Sequence, residues 1–252
     1  MFASERHQAI IEQLNSEGKV TVKELSTRFQ VSEDCIRKDL KQLELQGACK
    51  RAYGGAILIK EDLIRDVFKR KDHFSTEKKE IAQKAYDIIE NGETIFLDIS
   101  TTNIYLANLL ASGNKSCIII SNMIDILQTL AKNPLLSVIG TGGNVNLELN
   151  GFVGAATIDI VSRHNFDRCF IGTLGISGDD LSLTTFDLED GLVKASVIEH
   201  SRNKYVVMDA HKFHETGNYR FCSCDSLSAI ITNDAIDAKW LKKLKKHNIN
   251  IL

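Results

Sequence analysis

The sequence predicts an α/β chain in two parts: a small N-terminal winged helix-turn-helix, and behind it a mainly parallel α/β domain. Three observations predict this. Residues 20–56, VTVKELSTRFQVSEDCIRKDLKQLELQGACKRAYGGA, read as two short helices joined by a tight turn and followed by a basic hairpin. From residue 75 onward six short apolar runs recur, at 94–98, 117–121, 135–140, 167–172, 204–209 and 227–233, with helix-like segments between them. Continuous apolar strands alternating with helices imply a parallel sheet covered on both faces. The chain is 252 residues long and 43% hydrophobic, enough for a sizeable core and two domains. The boundaries follow: a winged domain over 3–58 with its helix-turn-helix at about 20–39, a charge-rich linker over 59–74, and the α/β domain over 75–252.

In order, residues 4–14 form a first helix with Ile10, Ile11 and Leu14 inward, and Gly18 separates it from the next. Thr21 with Glu24 three residues on is a capping box, and Leu25 and Phe29 supply that helix's apolar face. After a turn through Gln30 and Val31, Ser32 is an N-cap, and Val31 can staple to Ile36. Ile36, Leu40 and Leu43 fall at helical spacing and face inward, leaving Cys35, Arg37, Lys38 and Lys41 outward until Gly47 stops the helix. Lys50, Arg51 and Tyr53 before Gly54 and Gly55 set cations and an aromatic on a tight turn suited to a phosphate backbone.

The net charge of −2 excludes a global basic field, so any nucleic-acid contact rests on a local patch. Arg37, Lys38, Lys41, Lys50 and Arg51 supply it against Asp39 and Glu44. The expected partner is double-stranded operator DNA. Ser32, Cys35, Arg37, Lys38 and Lys41 would enter the major groove from the second helix, with the Cys35 thiol against a thymine methyl, and Arg51 and Tyr53 would reach from the wing.

In the second part a helix over 77–90 carries Ile81, Ala85, Ile88 and Ile89 and stops at Asn91-Gly92. Further helices fall near 103–111, 123–132, 154–162, 189–201 and 235–246. Ligands of such sheets bind beyond the carboxyl ends of the strands. There the chain places DISTTN, whose Ser100, Thr101 and Thr102 bring hydroxyls and backbone N–H groups to a helix start suited to an anion. Ser121 and Asn122 end the next strand, and Gly142 and Gly143 the one after. Asp187, Glu189 and Lys194 lie along a following helix, and Lys212 follows a later strand. A polar ring at successive strand ends suits a phosphorylated polyol.

Other classes are weighed against this. The N-terminus has no charged leader before an apolar run and no stretch approaches membrane-spanning length, so a cytoplasmic protein is expected. Six scattered cysteines read as reduced thiols; Cys222 and Cys224 would share one strand face, but no second pair completes a zinc site. No metal or cofactor is expected. KWLKKLKKH at 239–247 reads as a solvated helix with Leu241 and Leu244 inward, and NINIL as a final strand. A sugar-phosphate isomerase with an accessory head is the competing reading, with Asp187 or Glu189 as base and Lys194 as partner. The complete recognition helix favours the DNA-binding reading over it.

The runs VSEDCIRKDLKQLELQG and KRAYGGA, with FLDISTTN, SNMIDILQTLA, GTGGNVN, FIGTLGIS, LTTFDLEDGLVK and VVMDAHKF, make nearly the whole chain resemble the DeoR family of bacterial transcriptional regulators. The resemblance implies a sensor domain folded like ribose-phosphate isomerases. Asp98, Ser100, Thr101 and Thr102 would then cradle a phosphate, and Asp187, Glu189, Lys194 and Lys212 would line the sugar end. It further implies a homo-oligomer, dimer or higher, that represses a carbohydrate-utilisation operon until a phosphorylated sugar or polyol binds, with no catalysis and no membrane.

Overall fold

The computed structural model describes residues 3–45, 48–58, 67–70 and 73–252. The chain forms two compact units, Met1–Ile64 and Arg65–Leu252. In the first, α1 (Ala3–Glu17), β1 (Lys19–Thr21), α2 (Val22–Phe29) and α3 (Glu33–Leu45) precede a hairpin of β2 (Cys49–Ala52) and β3 (Gly55–Leu58). The strands pair antiparallel in the order β1-β3-β2. Ile10, Leu14, Leu25, Ile36, Leu40 and Leu43 fill the core, as their helical spacing requires. Thr21 caps α2 by accepting from the Glu24 N–H at 3.2 Å, and its hydroxyl donates to the Glu24 carboxylate at 2.8 Å. Thr21 also ends β1, a three-residue strand whose brevity hides it from periodicity. The expected stop at Gly47 lies outside the described residues.

The second unit runs α4 (Val67–Arg70), α5 (Ser75–Asp87), β4 (Thr94–Leu97), α6 (Thr101–Ser112), β5 (Ile118–Ser121), α7 (Ile124–Leu130) and β6 (Ser137–Gly140). It continues through β7 (Asn144–Asn146), β8 (Gly151–Val153), α8 (Ala155–Ser162), β9 (Phe166–Gly172), β10 (Gly175–Ile176) and β11 (Ser182–Thr185). It ends with α9 (Leu188–Glu199), β12 (Ser201–Val207), β13 (Tyr219–Ser223), β14 (Ala229–Ile231) and α10 (Ala238–Lys246). The six predicted apolar runs are the six strands of one sheet, ordered β14-β12-β9-β4-β5-β6 and parallel throughout. Period-2 alternation divides their side chains between two cores. Ile95, Leu97, Ile119, Phe170 and Val207 pack with Ile81, Leu106 and Leu110 of α5 and α6. Phe96, Ile120, Ile171 and Val206 pack with Val193, Val197 and Trp240 of α9 and α10.

Four expectations need correction. Val67, within the expected linker 59–74, is buried in the second unit's core, and its N–H donates to the Glu148 carbonyl at 2.9 Å; residues 59–66 and 71–72 lie outside the described ones. On α10 the inward pair is Trp240 and Leu244, while Leu241 is 44% exposed. Cys222 lies on β13 but Cys224 opens a 3-10 turn over Cys224–Ser226, so the two thiols do not share a strand face. The closing NINIL contributes one parallel bridge, Ile251 to Ile230. Two small antiparallel sheets, β7-β8 and β10-β11-β13, were not anticipated, because runs such as NVN and SLTT are polar and short.

Candidate functional site

On the N-terminal unit, α3 starts where Ser32 Oγ accepts from the Cys35 N–H at 3.2 Å. With Ile36, Leu40 and Leu43 buried, Arg37, Lys38 and Lys41 stand on the exposed face with Ser32. Arg37 is held by Glu33 at 2.6 Å and Asp34 at 2.7 Å. These exposed pairs are worth little and can exchange for phosphate or base contacts. The two acids counted against the patch are both engaged. Asp39 is buried and takes a two-pronged contact from Arg6 (Nε–Oδ2 2.6 Å, Nη2–Oδ1 3.0 Å) and a third from His7 at 3.0 Å. Burial alone would raise the Asp39 carboxyl, but its bonds to Arg6 and His7 outweigh that and hold it below the ordinary range. Glu44 accepts the Arg51 N–H at 2.8 Å, tying the end of α3 to the wing.

Cys35 corrects the sequence reading. Its thiol is half-buried, 3.4 Å from Arg6 Nη2 and 4.0 Å from Asp39, so it is turned toward α1 and away from the outer face. The Asp39 clamp was missed because its partners lie 33 and 32 residues away. In the wing, Lys50, Arg51 and Tyr53 are exposed, with Tyr53 at the tip. Gly54 takes φ +79°, and its carbonyl accepts the Val22 N–H at 2.8 Å, anchoring the wing tip to the start of α2.

On the second unit the carboxyl ends of β4 and β9 are locked together. Asn103 donates to the Asp98 carbonyl at 2.9 Å and to the Phe170 carbonyl at 2.8 Å. Ser100 caps α6 by accepting from the Thr102 N–H at 3.2 Å, with Thr101 and Thr102 buried in the first turn. A side chain at Gly172 would come within 2.6 Å of Ser100 Cβ, so the close approach requires glycine. Asp98 is fully buried; its Oδ2 accepts from the Gly172 N–H at 2.9 Å and from Lys194. It therefore braces the α6 start from beneath through Oδ2 and leaves Oδ1 unengaged.

Lys194, 3% exposed, also lies 3.0 Å from Asp190, which accepts from the Thr185 hydroxyl at 2.8 Å. Asp190 is buried and was missed, because sequence alone does not distinguish it from its exposed neighbour Glu189. Burial pushes the Asp98 carboxyl up to about 6 against the pull of Lys194. Burial alone would lower Lys194, but Asp190 and Asp98 outweigh it and hold the ammonium above the usual lysine range. The result is a buried cluster beneath the strand ends in which two carboxylates flank one lysine.

Asp187 caps α9 by accepting the Asp190 N–H at 2.8 Å and is reached by Asn146 of β7 at 3.4 Å. Glu189 is exposed. Lys212 donates to the Thr173 carbonyl at 3.0 Å. Ser121 is corrected, whereas Asn122 keeps one atom open. The Ser121 hydroxyl is consumed by the Leu97 carbonyl at 2.7 Å and the Met123 N–H at 3.1 Å, and Asn122 donates to the Phe152 carbonyl at 3.2 Å. Both fasten the end of β5, although Asn122 Oδ1 is left without a protein partner, as are Asp98 Oδ1 and Thr141 Oγ1. Buried polar atoms are nearly always satisfied, and these three lie at the carboxyl ends of adjacent strands.

Gly142 and Gly143 turn the chain after β6 with φ +63° and +121°. At Gly143 an added Cβ would collide with Thr157 Oγ1, which donates to the Gly142 carbonyl at 2.8 Å, and would sit 3.1 Å from the Val153 carbonyl. At Gly142 it meets nothing within 4 Å. Gly143→Ala is therefore expected to destabilise the unit by about 2–3 kcal/mol, and Gly142→Ala by only about 1 kcal/mol. Paired thermal melts check this; equal shifts would show that the collision is relieved.

Among the described residues no helix is long and apolar enough to cross a membrane. Residues 6–62 match the DeoR-like helix-turn-helix domain, and residues 73–234 match the DeoR C terminal sensor domain. The glycerol-3-phosphate regulon repressor of Escherichia coli (strain K12) is 32% identical over 100% of this chain and 99% of its own length. The HTH-type transcriptional repressor GlcR of Bacillus subtilis (strain 168) is 29% identical over 100% of this chain and 96% of its own. Among solved structures, ribose 5-phosphate isomerase from Plasmodium falciparum aligns at TM-score 0.38 and 23% identity, over 54% of this chain and 51% of that one. With a complete helix-turn-helix and a matched sensor domain, the chain belongs to the DeoR family of DNA-binding transcriptional regulators and is not an enzyme.

Proposed function

We propose that this regulator represses a carbohydrate-utilisation operon and that a phosphorylated sugar or polyol, bound beyond the carboxyl ends of the parallel strands, controls its hold on operator DNA. One observation carries the effector reading: the Ser100-capped start of α6 lies at the carboxyl end of β4, and the next two strand ends hold buried Asn122 Oδ1 and Thr141 Oγ1 without a protein partner. Helix N–H groups suit a phosphate, and unsatisfied buried polar atoms suit the hydroxyls of a polyol. Asp187, Glu189 and Lys212 would take the hydroxyls. The name of the Escherichia coli relative supports a small phosphorylated polyol. Residues 59–74, whose Val67 already packs in the second unit's core, would join a DNA-binding domain over 3–58 to the sensor over 75–252. The chain would act in the cytoplasm as a symmetric homo-oligomer, dimer or higher, reading paired half-sites.

Ser32, Arg37, Lys38 and Lys41 would read DNA from α3, and Arg51 and Tyr53 from the wing. Fluorescence anisotropy with DNA from upstream of the gene, against scrambled DNA, tests the reading. A panel of sugar and polyol phosphates follows. Specific binding that one phosphate ester weakens is the expected result; binding indifferent to every ester would remove the effector claim. Arg37→Ala is expected to weaken operator binding ten- to hundred-fold, about 1–3 kcal/mol, without lowering the melting temperature. If Arg37 reads a base, discrimination over scrambled DNA falls too. If it holds a phosphate, the salt slope flattens by about 0.9. Unchanged affinity takes Arg37 off the interface.

A further inference from the structure

The 3-10 turn over Ala210–His214 has two sides. On one, Lys212 reaches the Thr173 carbonyl. On the other, Phe213 packs on Trp240 of α10, with ring centroids 5.3 Å apart, above a cavity of about 320 Å³. Its floor is Phe213, Trp240 and Ile176, all buried. Its rim carries Lys239, Lys243 and His214. The one rim acid is Glu215, and Asp237, just before α10, is matched by His214 at 3.2 Å. Lys243 lies over the Trp240 ring, its Nζ 5.4 Å from the centroid, and donates to the Gly178 carbonyl in the β10–β11 turn. α10 holds five lysines and no acid, so the cavity opens beside a cationic helix.

We propose that this cavity is a second small-molecule site, separate from the strand-end site, for an organic anion with a flat apolar body: an aromatic carboxylate, sulfonate or phosphate ester. Size, floor and rim each argue for that class. The volume is that of small-ligand pockets, which pair apolar walls with a few placed polar groups. Trp240 and Phe213 reward an aromatic body, and Lys239 and Lys243 an anionic head. Polyols are matched less well, since the floor is apolar and the uncharged polar groups of the lining are few: the Thr216 hydroxyl, the Trp240 indole N–H and the His214 ring. The site is independent of the sugar-phosphate reading. The two would share the 209–217 loop, which Gly217 pins by donating to the Thr184 hydroxyl at 2.8 Å.

Trp240 is the chain's single tryptophan, so its emission originates at this cavity, and the lysine variants locate the bound probe. The probe is 8-anilinonaphthalene-1-sulfonate, an aromatic anion, added to the full-length protein. Saturable energy transfer from Trp240 at one probe per chain is expected. The Lys239→Gln/Lys243→Gln double variant should weaken it about tenfold. Lys239→Arg/Lys243→Arg should retain it, which separates charge from fold. Uncharged N-phenyl-1-naphthylamine should bind all three proteins equally. Absence of saturable transfer, or equal probe affinity in the glutamine and arginine variants, overturns the proposal.

Discussion

Lys194→Met is expected to destabilise the sensor domain by about 3–5 kcal/mol at pH 8 and to abolish its response to any phosphorylated effector. The substitution keeps the length and burial of the chain and removes only the charge. It leaves Asp98 and Asp190, both buried, facing one another without the ammonium that separates them. The sign of the pH dependence follows. Asp98 has a folded pKa of about 6, above the unfolded carboxyl near 3.9. Its contribution to stability is therefore full below about pH 4 and is lost as pH rises through about 6. Without Lys194 that pKa moves higher still, so the loss deepens over a window reaching past pH 6. The deficit of the variant should thus be small at pH 5 and large at pH 8. Adding Asp98→Asn should return much of it, a coupling that a double-mutant cycle reads directly. Calorimetric melts of the four proteins at both pH values check this; a deficit equal at pH 5 and 8 would mean the cluster is not ionised as described.

The sequence displayed most of the scaffold because hydrophobic periodicity is local. Each of the six apolar runs became a strand of the parallel sheet, and Thr21 and Ser32 each cap a helix as their residue types predict. It displayed the neighbourhood of the candidate site, since strand ends and helix starts carry Ser, Thr and Gly for geometric reasons. What it hid are the pairings across the chain. Nothing local says that Asp98 and Lys194, 96 residues apart, meet in the core, or that Asp190 completes them. Side-chain hydrogen-bond accounts were equally hidden: Ser121 looked available but spends its hydroxyl on its own strand end. Cys35 failed for a related reason. Helical spacing placed it beside the outer face, and the long reach of Arg6 drew the thiol inward.

That same Arg6 frames the other large expectation. Asp39→Ala should unfold the N-terminal unit near physiological temperature and so remove DNA binding without touching the reading face. Asp39 joins α3 to α1 through two bonds from Arg6 and one from His7, with the Arg6 and Asp39 side chains each about 8% exposed. Removing the carboxylate takes two charge-assisted bonds from a buried guanidinium and one from His7, a loss of about 3–5 kcal/mol. A unit of 64 residues buries little surface and has little stability to spare. The folded Asp39 pKa is depressed, so its contribution is present above about pH 4 and is lost as pH falls through that lower folded value. The gap between parent and variant should therefore be wide at pH 7 and close in strong acid. Thermal denaturation of the N-terminal transition across pH checks the stability, and operator binding at low temperature, where the variant refolds, checks the cause. Recovery of affinity there assigns the defect to the clamp between the helices; weak binding by a fully folded variant would instead place Asp39 in direct control of the DNA contacts.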